Sequence, residues 1–294
     1  MERRIIYTIT SDHENWMIKE FLKEKNYSRK VITLLKERPN DILHNGKTAF
    51  VTEKLKEGDS LEICLKELES SENIEPEEGE IAIIYEDEDI LVVDKPAGMP
   101  IHPSVNHHRG TLANRIAFYY KKQGIPFVFR CMNRLDRDTS GLVVIAKHSL
   151  SGAILSKNMK ECGFHREYLA VVCGKLPESG IIKAPIGRVP GSVVERMVDP
   201  VYGQEAVTHY RRLQYGNDHS LAAVRLETGR THQIRVHMKH IGCPLPGDFL
   251  YHPDFTQISR QALHSHCIWF VHPITEEEMT FRSPLPKDMK QILN

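Results

Sequence analysis

The chain has 294 residues, enough for two domains of ordinary size, and 40% of them are hydrophobic, enough for a buried core. Basic and acidic residues balance at 39 each, which argues against a dedicated non-specific nucleic-acid binder, since such proteins are basic throughout. No run of about 18 apolar residues occurs to span a membrane, and the N-terminus lacks the apolar stretch of a signal peptide, so a soluble, cytoplasmic protein is expected.

Along the chain, Ser11-Asp12 precedes a helical pattern in which Met17, Ile18, Phe21 and Leu22 share a face. Ser28 has the chemistry of an N-cap for a second helix with an apolar stripe of Val31, Leu34 and Leu35, its basic residues Arg29, Lys30 and Lys36 lying elsewhere. Asn45-Gly46 joins Ile42–His44 to Lys47–Val51 as a tight hairpin, and Gly58-Asp59 turns the chain into a strand over Leu61–Leu65. Residues 1–66 thus read as a small module of two helices and a hairpin sheet. The stretch Glu67–Glu80 is acidic and aperiodic, and reads as a solvated linker that would repel phosphate.

A second domain, 81–294, opens with a hairpin of Ile81–Tyr85 and Ile90–Val93 around a charged tip. Helices are expected at Thr111–Lys122 and Ser149–Glu161. Strands are expected at Gly141–Ala146, Tyr168–Val172, Ala206–Leu213, Leu221–Leu226 and Ile268–Val271. The fold class is therefore α+β, a mixed, mainly antiparallel sheet with flanking helices. The six cysteines are scattered without a C-x-x-C pair, as suits reduced core thiols rather than a zinc or redox site.

The chemistry concentrates in Met132–Ala146, where a polar loop carrying Arg134, Asp136, Arg137 and Asp138 runs directly into an apolar strand. An ordinary charged turn with local ion pairs is the competing reading for that loop. Arg134-Leu-Asp-Arg-Asp-Thr-Ser-Gly141 resembles the R-L-D-x-x-T-S-G signature of the RluA family of pseudouridine synthases. Five further segments match that family in order. They are Ile90–Gly98 with its K-P-x-G turn, His165–Ala170 built around a tyrosine, Leu226–His237 with its R-T-H-Q-I-R core, and Pro246-Gly-Asp248 followed by Ala262–Ser265. The first module is similar to the S4 RNA-binding domain at Ser28-Arg29, Asn45-Gly46-Lys47 and Gly58-Asp59. It departs from that pattern at Met17–Leu22 and at His44, where valine is common.

The resemblance implies an enzyme that isomerises uridines in structured RNA, with large-subunit (23S) ribosomal RNA as the substrate and transfer RNA as the alternative. The N1–C1′ bond breaks and the base rejoins through C5. No electrons are transferred, so neither cofactor nor metal is required. Asp136 is implied as the catalytic carboxylate, either a nucleophile or a base at the ribose. Arg235 is implied as its guanidinium partner, which favours the ionised carboxylate, and Tyr168 as the residue against the target base. Arg134 is implied as the side chain that fills the space left by the flipped nucleotide; a salt bridge to Asp136 or Asp138 is its bland alternative. Arg230 and Gln233 of the third motif, and Arg29, Lys30 and Lys47 of the first module, are the further RNA-binding candidates.

The family often carries histidine before the R-L-D; here Asn133 can donate a hydrogen bond but cannot titrate. The histidines at 102, 107, 108, 232, 237, 240 and 264 show no zincin spacing, so hydrogen bonding or phosphate contact is expected of them rather than metal binding. Two other readings compete with the enzyme: a non-catalytic RNA-binding assembly factor on the same fold, and a glycoside-type hydrolase using Asp136 with Asp138. No spare amphipathic helix is evident, so a monomer is the default.

Overall fold

The computed structural model describes residues 1–104, 108–161 and 163–293; His107 and Cys162 lie outside the described residues. The N-terminal part contains β1 (Glu2–Thr8), α1 (Ile18–Glu24), α2 (Arg29–Glu37), β2 (Ile42–His44), β3 (Lys47–Thr48) and β4 (Ser60–Lys66). Ser28 caps α2, its Oγ accepting from Val31 N at 3.3 Å. Asn45 and Gly46 both take the positive φ that a two-residue hairpin requires. The sheet order is β1-β4-β2-β3, so β4 is central rather than the end of a hairpin. The strand β1 was not expected. It pairs antiparallel with β4 from Glu2↔Lys66 to Thr8↔Ser60, and of its seven residues only Ile5 is buried, leaving little alternation to read.

The acidic segment 67–80 is irregular, as expected, but it is not a free solvated strap. Ser70 and Ser71 accept through Oγ from Phe127 N and Phe129 N, and Glu75 O accepts from Asn114 Nδ2 at 2.7 Å. Ile74 packs on the larger core. The backbone of 127–129 would otherwise lack partners along this side, and the segment supplies them.

The larger part contains β5 (Ala82–Glu86), β6 (Ile90–Lys95), α3 (Leu112–Lys122), β7 (Ser140–Ala146), α4 (Ser149–Lys160), β8 (Phe164–Cys173), β9 (Ser179–Lys183) and β10 (Ile186–Arg188). It continues with β11 (Arg196–Val198), β12 (Val207–Gly216), β13 (His219–Leu226), α5 (Gln233–His240), β14 (Leu263–Val271), β15 (Glu278–Arg282) and α6 (Lys287–Leu293). The expected strands and helices are present; β9, β10, β11, β15, α5 and α6 add to them. The main sheet runs β5-β6-β7-β14-β8-β13-β12-β9, with β15 also paired to β14. All its pairings are antiparallel except the short β14–β7 contact, so the α+β, mainly antiparallel fold class holds. At that contact Gly141 takes φ +112°, and any Cβ there would collide with the backbone of Ser265.

The two parts join at the tip of the β5–β6 hairpin and on α4. Arg3 donates to buried Asp89 at 2.8 and 3.1 Å, and Leu150 packs into the N-terminal core. Because β6 and β7 run antiparallel from Ile90↔Ala146 to Lys95↔Gly141, this junction lies at the end of β7 remote from Ser140. At about 3.3 Å per residue, some 20 Å of strand separate it from the loop that carries Asp136. The described cysteines, 64, 131, 173, 243 and 267, are all free thiols. Among the described residues no helix is long and apolar enough to cross a membrane.

Candidate active site

The loop before β7 is held from three sides. Leu135 is buried in the core, which turns its neighbours Arg134 and Asp136 toward the open side. Asn133 is buried and behaves like a short stretch of strand: Nδ2 donates to Leu142 O at 3.0 Å and Oδ1 accepts from Val144 N at 2.8 Å. Its amide therefore serves the backbone of β7. Beneath the loop, the fully buried Lys95 donates to Pro96 O, Met99 O and Arg137 O at 2.8–3.0 Å. Burial lowers the Lys95 pKa to about 7 against the opposing charges of Asp138 and Asp136, and when the group is charged the three carbonyls leave none of its three protons unpaired.

Asp136 receives a 2.9 Å hydrogen bond from Arg235 Nη1. Arg235 projects from α5 and is itself 1% exposed. Its Nε and Nη2 fork the buried Asp248, both at 2.7 Å, and its guanidinium lies 5.0 Å from the Tyr251 ring centroid and 5.5 Å from that of Phe249. Burial works against the Arg235 charge. The Asp248 bonds, with the charges of Asp136 and Asp248, outweigh it and hold the guanidinium above its ordinary pKa. The guanidinium that meets Asp136 is therefore fixed in place by a second carboxylate.

Tyr168, on β8, is buried beside the same space. Burial raises its hydroxyl above the ordinary tyrosine range, Arg166 pulls it partly back, and Asp136 adds to the rise. At neutral pH it is a phenol, able to donate. Together these groups line an open cavity of about 440 Å³, along with Arg134, Arg166, Arg230 and His232. That volume suits one nucleotide base with part of its sugar.

The family relationship is decided by comparison. A model of the family described as RNA pseudouridylate synthase matches residues 89–240, just over half of the chain. This chain belongs to that family. The RNA pseudouridine synthase YjbO of Bacillus subtilis (strain 168), whose function carries the label uncharacterized, is 42% identical over 277 residues, 94% of this chain and 98% of that protein. The ribosomal large subunit pseudouridine synthase D of Pseudomonas aeruginosa PAO1 is 39% identical over 274 residues, 87% of this chain and 80% of that one. Among solved structures, human RNA pseudouridylate synthase domain containing 1 aligns with a TM-score of 0.57 at 24% identity, covering 71% of this chain and 86% of that one. Human RNA pseudouridylate synthase domain containing 4 gives 0.58 at 20% identity, covering 72% and 91%. At these identities the two structures support the fold alone.

Within this pseudouridine synthase fold, the sequence-expected residues divide by location. Asp136, Tyr168 and Arg235 meet at one cavity, Arg134 and Arg230 are exposed around it, and Arg134 is spared ion pairing to Asp138 because Arg137 forks that carboxylate. Asp138 does not line this cavity; it shares an adjoining one with Asp136, where its carboxylate is forked by Arg137. Gln233 is placed differently from the RNA-facing position expected. It is 2% exposed, its Oε1 accepts from Thr228 Oγ1 and Arg230 N, and its Nε2 donates to Val207 O and Thr208 Oγ1. The amide closes the 228–230 loop and has nothing left for RNA. Arg29, Lys30 and Lys47 are exposed on the N-terminal part and do not line the cavity.

Of the histidines weighed above, His237 and His264 resolve as buried hydrogen-bonding groups. His237 lies between Thr208 Oγ1 and Ala184 O, both at 2.8 Å, and His264 between Ser140 Oγ at 2.9 Å and Ser283 O at 3.4 Å. Among the described residues one cluster, Asp87, Asp89 and His272, has ligand atoms close enough for a metal ion. It sits at the junction of the two parts, where Arg3, His148 and Tyr85 already occupy its oxygens.

Three residues at or under the cavity, Lys95, Arg166 and Asp248, escaped sequence reasoning as site residues, and His232 reads only as one of several hydrogen-bonding or phosphate-contacting histidines. All four lie inside matched motifs and were readable there only as motif letters. Arg166 carries a buried Nε without a hydrogen-bond partner among the described residues, an orphan donor at the cavity wall. His232 is a non-glycine residue at φ 58°, the left-handed region, at the N-cap of α5. Such strain is invisible in a sequence.

Proposed function

We propose that this RNA pseudouridine synthase modifies one or more uridines of large-subunit ribosomal RNA, with Asp136, Arg235 and Tyr168 as its catalytic residues. One observation carries the reading: the Arg235 guanidinium, locked by Asp248, stands 2.9 Å from the Asp136 carboxylate in a cavity that also presents Tyr168. The substrate class draws support from relatives at 35–39% identity named ribosomal large subunit pseudouridine synthase D; transfer RNA is the second reading.

In this scheme the target nucleotide leaves its stack, at a cost of a few kcal/mol, and Arg134 takes its place. Asp136 either bonds C1′ as N1–C1′ breaks and releases it when C5–C1′ forms, or takes a ribose proton after N1–C1′ has broken and returns it when C5–C1′ forms. The uracil turns and C5–C1′ forms, after which the C5 proton leaves, N1 gains one, and the Tyr168 hydroxyl stands where it can move the proton. Residues 1–66 act as an S4-like RNA-binding domain through Arg29, Lys30 and Lys47, tethered by 67–80 to the catalytic domain 81–294. Its junction lies some 20 Å along β7 from Asp136, so it grips RNA away from the reacting nucleotide. The protein works in the cytoplasm as a monomer.

The deciding experiment is a site-resolved pseudouridine map of ribosomal and transfer RNA from cells lacking the protein, re-expressing either the intact protein or Asp136→Ala. Sites in large-subunit RNA should vanish and return only with the intact protein. Sites lost in transfer RNA instead would move the substrate, and sites restored by Asp136→Ala would overturn the catalytic assignment.

A further inference from the structure

The His232 ring sits between two defined neighbours, and they dictate which of its nitrogens carries the proton. Tyr251 Oη accepts from Arg196 N at 2.9 Å and stands 2.9 Å from His232 Nδ1. Burial pushes the Tyr251 hydroxyl up to about 12, so it keeps its proton. Among the described residues that proton has no other acceptor, and it is donated to Nδ1. Burial also lowers the His232 pKa, with Asp136 opposing and Arg235 reinforcing the shift, which keeps the ring neutral. The single ring proton is therefore on Nε2. Nε2 in turn faces Asp136 Oδ2 at 3.9 Å, too far for a direct hydrogen bond.

That gap fits one oxygen. An atom about 2.8 Å from both groups subtends roughly 90° between them, an acceptable angle for a hydroxyl. The occupant must accept from an N–H on one side and donate to a carboxylate on the other. Uracil carbonyls and phosphate oxygens only accept, and would be repelled by Asp136; uracil N3–H only donates. On a nucleotide inside an RNA chain, only the 2′-hydroxyl does both.

We propose that His232 is a specificity-determining residue that receives the 2′-hydroxyl of the target ribose between its Nε2–H and Asp136, and so selects RNA over DNA at the reacting nucleotide. The proposal rests on the reading above that Asp136 works at the ribose. The left-handed backbone of His232 is in keeping with it: such strain persists where the surroundings hold a side chain in one orientation.

The test is a cycle of substrate and enzyme changes. A short transcript spanning a uridine found by the map is made with either ribose or 2′-deoxyribose at that one nucleotide. Single-turnover rates are measured for the intact protein, His232→Asn and His232→Gln. Asparagine tolerates the left-handed backbone but cannot reach the Nε2 position; glutamine reaches it with an amide N–H. For the intact protein the deoxy substitution should cost about 5- to 30-fold, the worth of one or two good hydrogen bonds. It should cost His232→Asn less than about 3-fold, because the bond is already absent, and His232→Gln should regain part of the discrimination. A deoxy penalty of equal size in the intact protein and in His232→Asn overturns the proposal. So does an Asn variant that outperforms Gln on the ribose substrate, which would mark a purely backbone role. If the intact protein fails on the ribose transcript as well, the fault lies with the proposed substrate and not with His232.

Discussion

Asp248 holds Arg235 by both carboxylate oxygens, each 2.7 Å from a guanidinium nitrogen, with Asp248 wholly buried. Breaking a buried pair by removing one partner strands the other charge, at a cost of about 3–5 kcal/mol. Asp248→Ala is therefore expected to lower the melting temperature sharply. Asp248→Asn, which keeps one acceptor, should fold and yet lose about 100-fold in kcat, because Arg235 is no longer aimed at Asp136. Thermal unfolding and single-turnover rates on the two variants check this; an Asn variant with unchanged kcat would show that Arg235 needs no second carboxylate.

Lys95 works on the same loop from below. Its ammonium donates to three carbonyls, one of them Arg137 O directly after Asp136. Lys95→Met fills the space but leaves three acceptors unpaired, and each such group costs about 1–3 kcal/mol. The expected result is lower stability together with a loosened Asp136 loop, read as a fall in kcat and faster amide exchange over residues 134–139. A variant that loses stability while keeping kcat would confine Lys95 to the core.

How far the sequence carried depends on where each signal resides. The loop and strand at 132–146 were legible because an uninterrupted apolar run follows turn-forming residues, and β7 is indeed buried at every position. Helix α5 was not, since Gln233-Ile-Arg-Val-His-Met238 alternates polar and apolar residues with a two-residue period, although the segment is helical and all six side chains are buried. Strand β1 depends on a partner some sixty residues away. Asp136, Tyr168 and Arg235 were named through motif resemblance; that they share a cavity is a property of the sheet order β7-β14-β8 and of α5. Gln233 shows the limit of such transfer, because a polar letter in a motif does not say whether it faces RNA or the protein.

His264 joins β14 to the start of β7 and is 1% exposed. Burial is the largest cause lowering its pKa, from 6.5 to about 4, with Asp94 opposing. A depressed folded-state value means that the unfolded chain takes up the proton first. Stability from this group is therefore full above about pH 6.5 and is lost as pH falls toward 4, by about 3 kcal/mol at most. Denaturant unfolding of the intact protein and of His264→Gln at pH 7, 6, 5 and 4 should show the stability difference between them shifting across this window. A difference independent of pH would mean that the buried imidazole does not stay neutral.

Arg134 is exposed at the cavity mouth while its neighbours Asp136 and Asp138 are engaged by Arg235 and Arg137. A guanidinium with no ion-pair partner among the described residues can stack in the gap of a flipped nucleotide and still meet phosphate. Its contribution then belongs to the flipping step, whose cost of a few kcal/mol depends on how well the target is stacked and paired. Arg134→Ala is expected to lose about 10- to 100-fold on a target uridine inside a stem, and far less when the same uridine sits in a single-stranded loop. Arg134→Lys should behave like the alanine variant on the stem, since an ammonium cannot stack. The comparison needs only single-turnover rates on two transcripts. Equal losses on both would place Arg134 in binding or chemistry rather than in the space vacated by the base.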